Sequence, residues 1–230
     1  MKEQIKEIPI LGKLAMQLYW MLIEFQAIPM FFPGSRKYWE DRYAAGGHSG
    51  VGSYDKFAVF KADIINSFVS GKNIQSVIEF GCGDGNQLKL ADYPSYTGFD
   101  ISETAITLCR RKFSSCPDKS FRKMSEYNRE MADLSLSLDV IYHLVEDDVF
   151  NNYMQVLFES ASRHVIIYSS NSDRNAVSQC AHVKHRKFTD WIRENAPDWV
   201  LSEHIPNKYP YRGDFRTGSF ADFYIFGKKE

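Results

Sequence analysis

The chemically most informative residues lie in the segment 76–86, where an apolar run leads into three closely spaced glycines. The run reads Ser-Val-Ile-Glu-Phe, and Gly81, Gly83 and Gly85 follow it at alternating positions. A strand that turns sharply needs residues without a Cβ, because they let the backbone approach a ligand closely. The segment therefore predicts a strand that ends in a ligand-binding loop.

The spacing of these glycines differs from the G-x-G-x-x-G pattern that places a pyrophosphate at a helix N-terminus. Gly85 comes one residue early, and the acidic Glu79 lies at the end of the strand. Both features disfavour an anionic pyrophosphate. They favour a cofactor that carries a cationic ammonium and a cationic sulfonium.

A second acidic residue, Asp100, ends the next predicted strand, residues 95–99. It follows Glu79 at about the 20-residue separation at which a βαβ unit places an acid against ribose hydroxyls. The glycine loop, its strand and this acid together predict a nucleoside cofactor with a methyl donor group. The alternative is a Rossmann-like domain that binds another adenosine ligand or none.

The composition limits the classes of partner. The chain has 230 residues, a net charge of −1 and no basic cluster interleaved with aromatic residues, which argues against nucleic acid. Its four cysteines show no C-x-x-C spacing, so we predict reduced thiols in a cytoplasmic protein and no zinc site. Cys82 lies in the glycine loop, where a small side chain suffices and a reactive role is not expected.

Apolar patterns alternate between strand and helix along the chain. Helices are expected after Asn86, from Ser102, around 149–157 and over 188–195. Such alternation implies a mostly parallel sheet with helices on both faces. The predicted strands are 76–80, 95–99, 121–124, 134–138, 164–168 and an antiparallel pair, 199–203 and 220–226.

Three regions are expected. Residues 1–35 form an apolar amphipathic helical segment, 36–75 a lid and a packing helix, and 76–230 the cofactor-binding core. Residues 9–28 carry too many polar side chains for a comfortable membrane-spanning helix. Three alternatives stay open for them: contact with a membrane interface, packing across a homodimer, or folding onto their own domain.

The lid is predicted from an aromatic and charged segment, 38–43, and from the glycine-rich segment 46–50 that follows it. The packing helix is predicted from apolar residues at helical spacing, and it should end near Gly71. Those residues are Phe57, Phe60, Ile64, Ile65 and Phe68.

From about Tyr38 onward, these motifs resemble the class I methyltransferases that depend on S-adenosyl-L-methionine (SAM). The segments 38–43, 46–50 and 139–144 resemble the small enzymes found with bacterial polysaccharide and glycan biosynthesis. The resemblance implies a Rossmann-like α/β fold with a seven-stranded, mostly parallel sheet in the order 3-2-1-4-5-7-6, strand 7 being antiparallel. It also implies that SAM binds above strands 1 and 2 and the acceptor near strands 4 and 5.

The resemblance also assigns cofactor contacts. Asp100 would take the ribose hydroxyls, and Ile101 would lie against adenine. Ser125 and Glu126 would neighbour the adenine amino group, although many relatives carry an acidic residue directly at that turn. The methionine and ribose part of SAM would be faced by Glu79, Gly81, Cys82 and Gly83.

Further contacts are implied on the methyl-donor side. Asp139 would end strand 4 beside the donor, and Tyr38 and Arg42 would cap the cofactor from the lid. A hydroxyl acceptor must lose its proton, and histidine suits this because its pKa is near neutral. His143 is therefore the candidate base, with Asp139 in reserve; the alternative is that His143 orders its loop or caps the helix that begins near Glu146.

A second polar cluster, His182, His185 and Arg186, precedes the helix 188–195. The cluster either binds the acceptor, with Arg186 on a phosphate or carboxylate, or forms a solvated loop. Asp147 and Asp148 either hold a metal or interact with a helix N-terminus; we expect no metal, because the second arrangement is commoner.

Three functions follow. The first is O-methylation of a sugar, sugar phosphate or glycan precursor, with the protein in the cytoplasm or at the inner face of the membrane. The second is methylation of a small metabolite or natural product. The third is a SAM-binding module without catalysis.

Overall fold

The computed structural model describes residues 32–176 and 179–229, together with Ala15 and Leu18, which are helical. The rest of the apolar segment 9–28 lies outside the described residues. In the described part from residue 32 onward, two α-helices precede the first strand, and three more α-helices lie between strands of a seven-stranded sheet.

The helices are α1, α2, α3, α4 and α5, which span Ser35–Ala44, Asp55–Gly71, Glu103–Lys112, Asp147–Glu159 and Phe188–Asn195. The strands β1 to β7 span Val77–Phe80, Tyr96–Asp100, Lys119–Lys123, Ala132–Leu138, Ala161–Ser169, Trp199–Ile205 and Asp222–Lys228.

The strands form one sheet in the order β3-β2-β1-β4-β5-β7-β6. Strands β1 to β5 are parallel, and β7 runs antiparallel to both β5 and β6. The predicted strand order and the antiparallel pair are confirmed. Glu79, near the end of β1, pairs with Gly98 of β2 and Leu136 of β4, so it lies at the centre of the sheet.

Two hydrophobic clusters cover the two faces of the sheet. Successive residues of a strand point to opposite faces, and Val77 of β1 belongs to one cluster while Ile78 belongs to the other. Helices α2 and α3 pack in the first cluster through residues such as Ile65 and Ile106. Helices α4 and α5 pack in the second, so helices cover both faces of the sheet.

Two local predictions need correction. The helix expected after Asn86 is only a 3-10 turn, Gln87–Leu90, and Ala91 after it is extended. Pro94 follows closely and disfavours helical backbone at the residue before it, which limits this connection to one turn. The aromatic and charged segment 38–43 is not a turn but part of α1, and three of its side chains are almost fully buried.

Candidate functional site

A cavity of about 300 Å³ lies at the carboxyl edge of the sheet. Ligands of open α/β sheets bind at this edge, because the loops that follow the parallel strands meet there. The predicted site residues in its wall are Glu79, Gly81, Cys82, Gly83, Asp100, Ile101, Asp139 and His143. Other wall residues include Trp39, Tyr43, Ser49, Ser53, Lys61, Gln87, Met124, Leu144 and Val149.

The glycine loop after β1 requires glycine for both conformation and space. Gly81 has φ 84°, and a Cβ there would lie 2.5 Å from Cγ2 of Val140. Gly83 has φ 56°, and a Cβ there would overlap the Ser49 hydroxyl and lie 2.8 Å from the Tyr43 hydroxyl. Because φ is positive at both positions, a side chain would also strain the backbone. Glycine is therefore required at both positions by close protein neighbours, and both glycines lie in the cavity wall.

Asp100, at the end of β2, holds this loop in place. Its Oδ2 accepts a hydrogen bond of 2.8 Å from the Gly83 amide, and its Oδ1 accepts one of 2.9 Å from the Ser102 amide. Ser102 in turn caps α3 by accepting from the Ala105 amide. Burial raises the pKa of Asp100 to about 6, and the backbone hydrogen bonds oppose that rise. Asp100 thus lies in the wall as a poorly solvated acid with acceptor capacity left for a ligand.

Glu79 is the second poorly solvated acid in the wall. Its carboxylate accepts a hydrogen bond of 2.6 Å from the Tyr96 hydroxyl. Burial raises the pKa of Glu79 to about 7, while Tyr96 and the charge of Lys61 oppose the rise and Asp100 adds to it. A cationic ligand would favour the charged form of both acids.

Asp84, which the sequence analysis did not single out, fixes the glycine-rich segment 46–50 onto the glycine loop. Its Oδ2 accepts hydrogen bonds from the Tyr54 hydroxyl at 2.7 Å and the Ser49 amide at 3.2 Å. Its own amide donates to the Ser49 hydroxyl at 3.0 Å. Burial raises the pKa of Asp84, but these hydrogen bonds outweigh that effect and the pKa is lowered. In the sequence, the position of Asp84 between Gly83 and Gly85 was the signal that could have identified it.

An ion pair between Lys61 of α2 and Asp139, after β4, was also missed. The Lys61 side chain is fully buried, and its Nζ lies 2.6 Å from Oδ2 of Asp139. The other oxygen of Asp139 accepts from the Tyr142 hydroxyl at 2.7 Å. Asp139 adopts φ 59°, and its amide donates to the Tyr168 carbonyl. Both carboxylate oxygens of Asp139 are therefore already hydrogen-bonded.

A lysine on an apolar helix face was the signal for this pair. Lys61 lies one turn from Phe57 and one turn from Ile65, which are both buried in the core. Residues four apart share a helix face, so Lys61 had to point inward. A buried ammonium needs a partner, and the sequence does not say which carboxylate supplies it.

His143 lies in the wall on the 3-10 turn Ile141–His143. Its Nδ1 is 3.1 Å from the carbonyl oxygen of His182. A carbonyl only accepts, so Nδ1 carries the proton and Nε2 is left as the acceptor. Removal from water lowers the pKa of His143 to about 4, and the His182 carbonyl and Asp139 oppose that shift. The imidazole is therefore neutral at physiological pH.

Helix α1 places some of its side chains in the cavity wall and others outside it. Trp39 and Tyr43 lie in its wall, and Trp39 contacts the His143 ring edge-on at 4.9 Å. Tyr38 and Arg42, which were predicted to cap the cofactor, lie outside the wall. The Tyr38 ring stacks on His182 at 4.5 Å, and Arg42 donates from Nε to the His48 carbonyl. Tyr38 and Arg42 are one helical turn apart, and so are Trp39 and Tyr43. Periodicity therefore could not decide which of these two pairs faces the cavity.

The residues predicted to bind the acceptor surround the segment that carries His143. His182 supplies the carbonyl that orients His143, and its ring stacks 5.4 Å from the His143 ring. His185 pairs with the Ser170 hydroxyl at 2.7 Å. None of His182, His185 and Arg186 is in the cavity wall.

Arg186 holds the residues just after His143. It donates to the carbonyls of Leu144 and Val145 and pairs with Asp147 at 2.7 Å. Asp147 also pairs with Lys184, and these bonds lower its pKa to about 2. The guanidinium is thus committed to protein partners, and its role here is to order the loop.

Ile101, which was predicted to lie against adenine, is in the cavity wall together with Met124. Ser125 and Glu126, which were predicted there, follow Met124 in a 3-10 turn but are not in the wall. Glu126 instead accepts from the Lys123 amide at 2.7 Å. The contact of these two residues with the adenine amino group therefore stays a prediction, since neither lies in the cavity wall.

Among the described residues, no group of three or more histidine, cysteine or acidic side chains is arranged to hold a metal ion. Within the same residues, no helix is long and apolar enough to cross a bilayer.

Residues 78–165 match the family model described as a methyltransferase domain. That segment contains the glycine loop, Asp100, Asp139 and His143. No curated protein matches the chain by sequence.

Solved methyltransferases share the fold. The N-methyltransferase NodS from Bradyrhizobium japonicum WM9, in complex with S-adenosyl-L-homocysteine (SAH), is 16% identical with a TM-score of 0.65, over 86% of this chain and 100% of that one. Magnesium protoporphyrin IX methyltransferase (ChlM) from Synechocystis PCC 6803, with bound SAM, is 13% identical with a TM-score of 0.61, over 87% and 100%. The methyltransferase domain of bacterial CtHen1-C is 20% identical with a TM-score of 0.57, over 74% and 97%. The chain therefore has the Rossmann-like fold of class I methyltransferases.

Proposed function

We propose that this protein methylates an oxygen of a sugar, sugar phosphate or glycan precursor. The premise is that it is a SAM-dependent methyltransferase, which the domain match and the fold support. S-adenosyl-L-methionine is the methyl donor, and His143 is the general base. Glu79, the glycine loop and Asp100 hold the donor at the carboxyl ends of β1 and β2.

The geometry of His143 carries this proposal. Methyl transfer from a sulfonium is a displacement at carbon, so alignment of the acceptor supplies much of the rate. A hydroxyl acceptor must also lose a proton; His143 lies in the cavity wall, and its Nε2 is left as a hydrogen-bond acceptor because Nδ1 carries the proton. The Nδ1 hydrogen bond to the His182 carbonyl keeps the ring in this tautomer. Asp139 is less suited to be the base, because its carboxylate is held in the ion pair with the buried ammonium of Lys61.

The acceptor class rests on the resemblance to glycan-associated enzymes and on the Trp39 ring beside His143. An indole offers a flat apolar surface together with one polar N–H, which suits a ring that carries hydroxyls. A nitrogen acceptor is the second candidate, since a neutral imidazole would also take a proton from an ammonium and NodS is an N-methyltransferase. A small metabolite or natural product, or SAM binding without catalysis, are the remaining alternatives.

Residues 9–28 are proposed to contact the inner face of a membrane, with homodimer formation as the alternative. Their apolar side chains and the flanking Lys2, Lys6 and Lys13 would favour an anionic lipid surface. A lipid-linked glycan precursor would then meet the enzyme at that surface.

One labelling experiment tests the acceptor and the membrane contact together. The full-length protein is incubated with SAM that carries a radiolabelled methyl group and with a cell extract, which is then separated into envelope and soluble fractions. We expect label in lipid-extractable envelope material, released by acid hydrolysis as an O-methylated sugar, and we expect the protein to sediment with the envelope. Label only in soluble metabolites would contradict the glycan precursor, and label on nitrogen would favour the second candidate.

The affinity for SAM should fall as the pH falls. SAM carries a net charge of about +1, so binding favours the ionised forms of Glu79 and Asp100, whose pKa values are raised to about 7 and about 6. The free protein holds more protons than the complex below pH 7, so SAM should bind roughly tenfold more weakly at pH 6 than at pH 8. Calorimetry at both pH values, in two buffers of different ionisation enthalpy, measures the affinity and the protons released.

SAH, which lacks the sulfonium charge, is the matched control ligand and should show a smaller dependence on pH. The Glu79→Gln variant should show a flatter dependence with SAM as well. Equal SAM affinity at pH 6 and pH 8 would contradict a role for these two acids in binding the cation.

A further inference from the structure

Two aromatic rings are exposed on the connection between β6 and β7, residues 206–221. Tyr211 and Phe220 are 47% and 38% exposed, and within the described residues they are the two aromatic side chains among the exposed large apolar ones. Their ring centroids lie 6.1 Å apart, so they form one surface, which we name the aromatic patch. Adjacent exposed apolar side chains mark a binding surface more often than isolated ones do.

The backbone that carries the aromatic patch is ordered by its own hydrogen bonds. The Tyr211 amide donates to the Ser219 carbonyl at 2.9 Å, and the Ser219 amide donates to the Tyr209 carbonyl at 2.8 Å. Gly218 lies so close to Pro210 that a Cβ there would overlap the Pro210 carbonyl oxygen. The two rings are therefore held in place without a ligand, which lowers the ordering cost of binding one.

A row of ring contacts joins the aromatic patch to the candidate base. Phe220 contacts the Tyr142 ring edge-on, with the ring centroids 4.9 Å apart. The Tyr142 centroid in turn lies 4.5 Å from that of His143. One ring thus separates the aromatic patch from the base. Because neither Tyr211 nor Phe220 lies in the cavity wall, the patch is a surface next to the cavity and not a part of it.

Hydrogen-bonding groups border the aromatic patch. The His185 ring lies edge-on to Phe220 at 4.6 Å. Its Nδ1 pairs with the Ser170 hydroxyl at 2.7 Å, and within the described part of the chain its Nε2 has no hydrogen-bond partner. Burial lowers the pKa of His185, so the imidazole is neutral at physiological pH. Nε2 of His185 and the phenol of Tyr211 can therefore both hydrogen-bond to a neutral hydroxyl.

These features specify the chemistry of a ligand. It should have an apolar face for the two rings and hydroxyls along its edge for the polar groups. A pyranose ring has both, since its axial C–H groups form one face and its hydroxyls surround it. The face of an aromatic ring is negative and attracts such C–H hydrogens.

Building on the proposed methylation of a glycan, we propose that Phe220 and Tyr211 bind a pyranose ring of the acceptor, while His185 hydrogen-bonds to one of its hydroxyls. This ring is a neighbour of the sugar that is methylated, because the aromatic patch lies outside the cavity that contains His143. The acceptor is therefore a glycan of at least two sugars and not a single sugar.

Saturation-transfer difference NMR on the full-length protein, with saturating SAH, tests this subsite. The probes are the methyl pyranosides of glucose, galactose and mannose, and sorbitol is the acyclic control, which has hydroxyls but no ring face. Irradiation of the aromatic protons of the protein should saturate the ring C–H protons of at least one pyranoside, and sorbitol should receive less. In Phe220→Ala, the Kd of that pyranoside should rise about fivefold, because one ring contact is lost.

Two variants separate the loss of a ring from a general loss of apolar surface. Phe220→Tyr keeps the ring and should bind the pyranoside as the wild type does. Leu201→Ala shortens another exposed apolar side chain, on the edge strand β6, and should also retain the wild-type affinity. The affinity for SAH should be unchanged in all three variants, because none of them alters the cavity wall.

Three results would overturn the assignment. The first is that no pyranoside receives saturation, or that Phe220→Ala and Tyr211→Ala both bind it as the wild type does. The second is that the wild-type protein sediments as a dimer and Phe220→Ala as a monomer, since the aromatic patch would then be a subunit contact. The third is that the wild-type protein does not bind SAH, in which case the SAM-dependent function fails first, and the acceptor role of the patch fails with it.

Discussion

Replacing His143 with alanine should slow methyl transfer by about 10²–10⁴-fold, the usual contribution of a general base. The affinity for SAM should change little, because the proposed contacts with the cofactor are made by Glu79, the glycine loop and Asp100. The rate falls because the variant lacks the Nε2 acceptor. In the wild type, Nδ1 hydrogen-bonds to the His182 carbonyl, which keeps Nε2 directed away from that carbonyl. Single-turnover rates at saturating SAM, with the dissociation constant measured in parallel, separate the two effects.

His204→Ala is the matched control for this variant. His204 lies on the edge strand β6, pairs with Asp222 at 3.1 Å and is far from the cavity wall, so its loss should leave turnover unchanged. Near-normal turnover in His143→Ala would contradict the base assignment. It would shift the base to Asp139, or show that alignment of the acceptor suffices.

The pH profile of the wild-type rate gives a second readout of His143. The base acts in its neutral form, and its pKa is lowered to about 4 by removal from water. The rate constant of the chemical step should therefore persist below pH 6.5, the ordinary value for histidine, and fall only as the pH approaches 4. Saturating SAM at each pH keeps this measurement free of the change in cofactor affinity.

The second large effect is expected for Asp100→Ala, which should weaken SAM binding by about 1–3 kcal/mol, or roughly 5–150-fold in Kd. The variant removes the proposed acceptor for the ribose hydroxyls. It also removes the acceptor for the Gly83 and Ser102 amides, so the glycine loop loses its support from β2. Calorimetry with SAM and with SAH should show a similar loss for both, because both ligands carry the same ribose.

The control for this variant is Asp118→Ala, at an exposed aspartate that pairs with Lys119 before β3. Asp118→Ala should bind SAM as the wild type does. A thermal melt of both variants shows whether the loss in Asp100→Ala reflects binding or unfolding. Unchanged SAM affinity in a folded Asp100→Ala protein would remove Asp100 from the site.

Short patterns in the sequence were enough to predict the sheet and to identify residues that the fold brings together in one cavity wall. The glycines after β1 and Asp100 at the end of β2 contact residues that are close in sequence or follow the adjacent strand. Alternating strands and helices then leave few ways to order the sheet, because crossovers are short and right-handed. The observed order β3-β2-β1-β4-β5-β7-β6 agrees with the predicted one.

The helix prediction after Asn86 was wrong because two local structures were compatible with one pattern. The residues after Asn86 carry enough apolar character for a helix, yet they form one 3-10 turn. In α1, Tyr38 and Arg42 have the same spacing as Trp39 and Tyr43, and both pairs have chemistry suited to a cofactor. Packing of α1 against His182 and His48 decided that the second pair faces the cavity.

What the sequence by itself determined is the fold and the position of the glycine loop, Glu79 and Asp100 at the carboxyl edge of the sheet. Only the tertiary structure paired Lys61 with Asp139, hydrogen-bonded His143 to the His182 carbonyl, and committed Arg186 to the residues after His143. Each of these contacts joins residues dozens of positions apart. Periodicity reports which face a side chain takes on its own helix or strand, whereas its partner across the cavity is decided by how the elements pack.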